Sequence, residues 1–386
     1  MVETRATMQL EHSEARPLDA PRIDRPQLGG RAASRPGALI APLTGVRAFA
    51  ALWVVVAHLR VGIAHGIDLP GLVDLVCRVG YLGVDLFGLL SGFVIALNYA
   101  ERLARPDGGR TARYLWVRAV RIVPLHWFAL ACLVAARLGL DGFDATVGHY
   151  GARALVEQLV LVHGFGFSRL AWNVPSWTVS SEWLCYLVFP LAAPLLVRLR
   201  AGGAAALAAA ALLAATAVAM RASGYPGFNA TAHWGVVRIA GEFAAGCCLQ
   251  RAFVSGFARS APWDALAPIA IAAALAAIAL GSAAAVVACF AVLVYALAHQ
   301  RGALARALAS RPLVFLGDAS YAIYIVHYVV LRLFAHALRG SPEPAGGDLV
   351  ARVAFQLAAV LGVAIAAHLL VESPARRRLR RLVAPV

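Results

Sequence analysis

Arg47 and His58 stand eleven residues apart in one apolar run, LTGVRAFAALWVVVAH, where a bilayer tolerates neither well. Eleven steps of about 100° bring a helix back to within about 20° of the same face, and the rise is about 16 Å. One helix face thus presents a guanidinium towards one membrane surface and an imidazole towards the other. A guanidinium matches phosphate oxygens. An imidazole takes a proton from a hydroxyl near neutral pH or carries an acyl group itself. Ionisable groups at the bilayer centre cost about 2.5–3.5 kcal/mol each on insertion scales, so each one asks for a function or a partner. Both readings of His58 stand at this point: chemistry, or a core histidine bonded to a neighbouring helix.

Other apolar runs carry polar groups at a comparable depth, namely Asp85, Glu182, Glu242 and His327. Helical rise puts them about 7–10 Å inside the outer boundary. Three carboxylates and two imidazoles in one layer require a protein-enclosed or water-lined cavity. Glu182 is expected to orient His58 and stabilise its charged form, as an acid does in a catalytic triad. His58 and Glu182 are therefore the candidate catalytic residues. Asp85, Glu242 and His327 are candidates for contact with substrate. Their packing alternatives are an Asp85 that ties down backbone amides near Gly83, and a Glu242 paired with His327. In WNVPSWTVSSEW at 172–183, Trp172, Ser176 and Trp177 are further candidates for substrate contact, and the serines serve equally well as helix caps. At the opposite depth, Arg118 and Arg121 are three apart and share a helix face. With Arg47 they form a candidate anion site, the alternative being plain anchoring at the membrane surface.

The elements that position these groups follow from composition. Hydrophobic residues make up 61% of 386 positions and charged residues 14%, whereas a soluble domain has about 45–50% and 25%. Runs long enough to span a hydrocarbon core recur from Ile40 to Leu370. The expected fold is all-α, a polytopic bundle of about ten helices over 40–62, 80–99, 118–138, 177–198, 203–220, 235–252, 264–280, 283–299, 313–338 and 350–371. Residues 1–39, rich in Arg, Pro and acids, read as a disordered cytoplasmic tail. Residues 40–373 read as one membrane domain and 374–386 as a basic cytoplasmic tail. In the segment 139–176, the stretch Ala154–Val162 is too short to span and reads as an interfacial or re-entrant helix. The formal charge of +15 comes wholly from arginine, since the chain has no lysine. Alternate connecting segments are the arginine-rich ones, which places both termini in the cytoplasm and the protein in the inner membrane. No folded basic domain exists to hold nucleic acid. The six cysteines lie in or beside apolar runs as small hydrophobes, so neither disulfide nor metal site is expected.

The ordered segments resemble the acyltransferase 3 family of multi-pass O-acyltransferases. The residues that carry the resemblance are Arg47 and His58 in their run, GYLGVDLFGLLSGFVI at 80–95, RYLWVRAVRIVPLHW at 113–127 and WNVPSWTVSSEW at 172–183. RIAGEFAAGC at 238–247, LGDASYAIYIVH at 316–327 and VESP at 371–374 add weaker matches. One departure is Gly88, where the family usually has the second of two phenylalanines. The resemblance implies transfer of an acyl group, commonly acetyl from acetyl-CoA, to a hydroxyl of a carbohydrate-containing acceptor in the cell envelope. It implies His58 as the catalytic histidine, and Arg47, Arg118 and Arg121 at the acyl-CoA, which is a donor substrate and not a bound cofactor. The competing reading is a secondary transporter, which also needs acids and histidines at membrane depth; transporters often show inverted repeats, and none is evident.

Overall fold

The computed structural model describes residues 40–61, 69–141, 143, 150–342, 344 and 346–382. The expected disordered tail 1–39 and the last four residues lie outside them. Among the described residues every regular element is helical. That is the solution a chain this apolar is driven to, since a helix satisfies its backbone polar groups internally without water.

The helices in chain order are α1 (Ala41–Val61), α2 (Gly71–Arg78), α3 (Gly83–Leu103), α4 (Gly108–Gly139) and α5 (Ala152–Leu159). They continue with α6 (Trp177–Arg198), α7 (Gly202–Ala222), α8 (His233–Val254), α9 (Trp263–Ala279) and α10 (Ala283–Ala298). The last five are α11 (Gly302–Leu308), α12 (Arg311–Asp318), α13 (Ser320–Ala337), α14 (Gly346–Ala367) and α15 (Ser373–Arg380). Each expected span thus has a helical counterpart. By length and composition, seven spans among the described residues are apolar enough to cross a membrane, and an eighth if α10 and α11, bent by 85°, count as one. The buried charges of α8 keep it out of that number.

Three differences from the sequence reading stand out. α4 begins ten residues before the expected 118, because Asp107 caps it by accepting from the Arg110 amide at 2.8 Å. Its first two turns are charged, so an apolar-run criterion passes over them. The expected ninth span is broken at Ala319 into α12 and α13. The expected tail at 374–386 begins as α15, joined to α14 by a π-helical turn, His368–Glu372, and held to α4 where Trp116 Nε1 donates to the Leu379 carbonyl at 3.0 Å. The short helix in 139–176 is α5, eight residues long.

α3 and α8 pack most extensively. A side chain at Gly92 would run into the backbone of Phe243, and one at Gly246 into that of Leu89. Small residues on both helices let the two backbones close, which is how packing is gained between helices in lipid. This contact holds Asp85 and Glu242 in fixed registration near the centre of the molecule. α1 lies beside α3 and α13, so the helix that carries Arg47 and His58 is lined on both sides.

Candidate active site

Near the end of α1, His58 Nδ1 lies 2.9 Å from the Val54 carbonyl. A carbonyl only accepts, so Nδ1 carries the proton and Nε2 of the neutral ring keeps its lone pair. His327 on α13 repeats the arrangement, with Nδ1 2.6 Å from the Tyr324 carbonyl. The two rings meet edge to face, centroids 4.9 Å apart. His327 Nε2 is buried and has no hydrogen-bond partner among the described residues. Two imidazoles with Nδ1 committed the same way thus form a pair in which Nε2 is the basic nitrogen of each.

Glu182 does not orient His58. Its carboxylate accepts from Ser91 Oγ and from the Tyr186 hydroxyl at 2.6 Å. It lines instead a cavity of about 50 Å³ shared with Arg47, Ser320, Tyr321 and Tyr324. That is room for small molecules the size of water. Arg47 Nε lies 3.5 Å from Ser320 Oγ, and its guanidinium stands 5.6 Å from the Phe87 ring. Tyr324 closes the cavity on the side of the histidines: its hydroxyl donates to the Pro175 carbonyl at 2.7 Å and accepts from Thr178 at 2.8 Å. The same ring is 5.8 Å from that of His327. His58 and the cavity are therefore neighbours across Tyr324 and His327, and the lining stops short of His58.

Arg121 sits behind Tyr321 of the cavity, and Arg118 sits beside Tyr186, which bonds to the lining residue Glu182. The Arg118 guanidinium lies over Tyr99 at 5.2 Å and Tyr186 at 5.9 Å, and it donates to the Tyr99 hydroxyl at 3.2 Å. Arg121 stands 5.7 Å from the Tyr321 ring and forms an ion pair with Glu372 from the π-helical turn. His368 of the same turn is 2.9 Å from Glu372. The arginines expected to meet an anion do cluster around one end of the cavity, but one of them already has a carboxylate. Glu372 escaped the sequence reading. Its signal was an acid just past the last apolar run, opposite an unbalanced group of arginines.

The remaining candidates mostly serve the fold. Asp85 ties no backbone amide near Gly83. It takes both ends of Arg238, with Nε donating to Oδ1 at 2.6 Å and an ion pair at the other oxygen. Arg238, 1% exposed, also donates to the carbonyls of Ala230 and Tyr81 at 3.2 and 3.4 Å. Glu242 lies 3.9 Å from Arg238 Nε, and neither of its oxygens has a hydrogen bond among the described residues. Glu242 and His327 are thus not partners of one another. Arg238 was missed, although an Arg and a Glu four apart in an apolar helix are a readable pair. A side chain at Gly88 would press on the Glu242 carboxylate, which explains the small residue there as packing.

The segment before α6 is a buried polar knot. The Ser176 hydroxyl donates to the Asn173 carbonyl at 2.6 Å and lies 2.9 Å from His163 Nε2; its side chain makes no capping bond to α6. Trp172 Nε1 donates to the Gly151 carbonyl at 3.3 Å, and its φ of 54° is a strained value for a bulky residue. Trp177 stacks over Arg238 at 5.9 Å. Asn173 donates to the Ile325 carbonyl at 3.0 Å, so the knot braces the turn of α13 that carries Tyr324 and His327. Burial holds His163 neutral, its pKa pushed down to about 3, with the adjacent His126 adding to the effect.

Comparison with known proteins gives the family. The family described as an acyltransferase domain matches residues 40–371. Acyltransferase MdmB of Streptomyces mycarofaciens is 31% identical over 373 residues, covering 88% of this chain and 92% of that protein. No solved structure matches.

Proposed function

The chain belongs to this acyltransferase family, and we propose that it moves an acetyl group from acetyl-CoA to a hydroxyl of a carbohydrate-containing acceptor. The observation that carries the reading is His58, whose Nδ1 is held by the Val54 carbonyl so that Nε2 is the basic nitrogen. His58 takes the proton of the acceptor hydroxyl as its oxygen attacks the thioester carbonyl. The tetrahedral intermediate expels the thiolate of CoA, and the imidazolium returns the proton to that sulfur. A hydroxyl has become an ester and the thioester a thiol, with no other reactant needed.

The phosphates of the donor sit at Arg118 and Arg121, and Glu372 yields Arg121 to them. Arg47 and Glu182 line the path of the pantetheine arm. Tyr324 leaves the Pro175 carbonyl so that the thioester reaches His58. The arginine-rich side of the bundle is cytoplasmic, where acyl-CoA is found. The protein sits in the inner membrane with both termini on that side, and the acceptor arrives from the His58 side as a cell-envelope sugar.

Purified protein in lipid nanodiscs, given acetyl-CoA carrying a radiolabelled acetyl group and a panel of glycans, tests this. Label should pass to a base-labile ester on sugar, with release of free thiol. Release of thiol with labelled acetate as the sole product, or no turnover at all, would contradict the assignment.

A further inference from the structure

The acetyl-transfer account leaves one cavity unused. A second space, of about 460 Å³, runs between α7 and α10. Its long walls are mostly alanine, from Ala206 to Ala217 on α7 and from Ala284 to Ala291 on α10. The volume falls within the roughly 300–1,000 Å³ of sites that enclose small molecules. From Ala206 to Ala217 the helix rises about 16 Å. That is about half of a 30 Å hydrocarbon core, the depth of a single leaflet. One apolar chain from one leaflet matches both the length and the lining.

The end of this groove is charged. Phe257 and Trp263 stand where α7 begins, and Gly202 backs directly onto Phe257. Around that end Arg198, Arg200, Arg259 and Arg301 are exposed, and Arg301 donates to the Arg259 carbonyl at 3.5 Å. Arg251 is close by and pairs with Glu101 at 2.6 Å; Asp264 is the other acid, in the first turn of α9. Among the described residues arginine outnumbers carboxylate there. α7 and α9 both start at this end with no side-chain cap, so their free amides and dipoles add to the attraction for an anion.

We propose that this groove is a binding site for an anionic glycerophospholipid, with one acyl chain between α7 and α10 and the phosphate among the arginines. A second copy of the chain fits less well. A two-fold axis along the membrane normal puts the same surface on both subunits, so one arginine cluster would face its own duplicate. A zwitterionic lipid matches the groove but brings no net negative charge to the arginines around its end.

Native mass spectrometry of the full-length protein, exposed to equal amounts of phosphatidylglycerol and phosphatidylcholine, tests the site without reference to catalysis. One phosphatidylglycerol should be retained in preference. Arg200→Ala, an exposed change that leaves the fold alone, should weaken that preference about five-fold, as one arginine near an anionic surface does. Ala288→Leu should abolish retention by filling the groove; where that protein fails to fold, Arg200→Ala decides alone. Equal retention of both lipids, a preference untouched by Arg200→Ala, or a dimer that Ala288→Leu splits would each overturn the proposal.

Discussion

The half of the bundle built from α1, α3, α4, α6, α8 and α13 differs sharply from the half built from α7, α9 and α10. The first buries Asp85, Arg238, Glu242 and His327 completely or nearly so. The second is walled by alanine and holds an apolar groove. Lipid drives no hydrophobic collapse between helices, so each half coheres by a different means: close glycine contacts and buried polar bonds in one, small apolar residues in the other. Only the first half has side chains whose placement is worth the insertion penalty, and only there do two imidazoles and three arginines approach a common cavity. The candidate site lies where the packing is polar and fixed.

The largest effect that separates the halves should come from Asp85→Ala. It leaves Arg238 buried without its carboxylate, at a cost of about 3–5 kcal/mol. Size-exclusion profiles should show aggregation or a loss of folded yield. Ala210→Leu on the groove wall should leave yield and melting temperature nearly unchanged, and equal damage from both would erase the contrast. The next effect is in the arginine cluster. Arg121→Ala should raise the KM for acyl-CoA about ten-fold or more, the loss of about 1.5–3 kcal/mol from a charge-assisted hydrogen bond; an unchanged KM would remove Arg121 from the donor site.

The smallest effect concerns acid stability of the knot before α6. His163 is held neutral with a pKa of about 3, against about 6.5 for an unfolded histidine. Its contribution is therefore fully present above pH 6.5 and is lost as pH falls from there towards 3. Melting temperature should decline between pH 7 and pH 5, and His163→Gln should flatten that slope. A slope that survives the substitution belongs to other groups.

Depth along each helix was legible in the sequence, and azimuth was not. α6 begins and ends where its apolar run does, at Trp177 and Arg198, and Arg47 and His58 keep the spacing that the rise of α1 gives them. The placing of Glu182 beside His58 failed because two groups at one depth meet only if their helices turn the right faces together. α6 turns Glu182 to Ser91 and Tyr186, while His58 meets α13. His327 was readable as a polar group in the same layer but not as the partner of His58. Arg238 and Glu372 lay inside quoted motifs and passed unweighed, Arg238 although it pairs with Asp85 of the outer layer and Glu372 because it lies past the last apolar run.

The central claim is that His58 Nε2 accepts the acceptor's proton. Acetyl transfer by purified His58→Ala, with a melting temperature matching the unaltered protein, measures this most directly. Loss of about 10²–10⁴-fold in kcat is expected for the removal of a general base. Turnover within a few-fold of the unaltered protein would contradict the account and leave the histidine pair a packing feature.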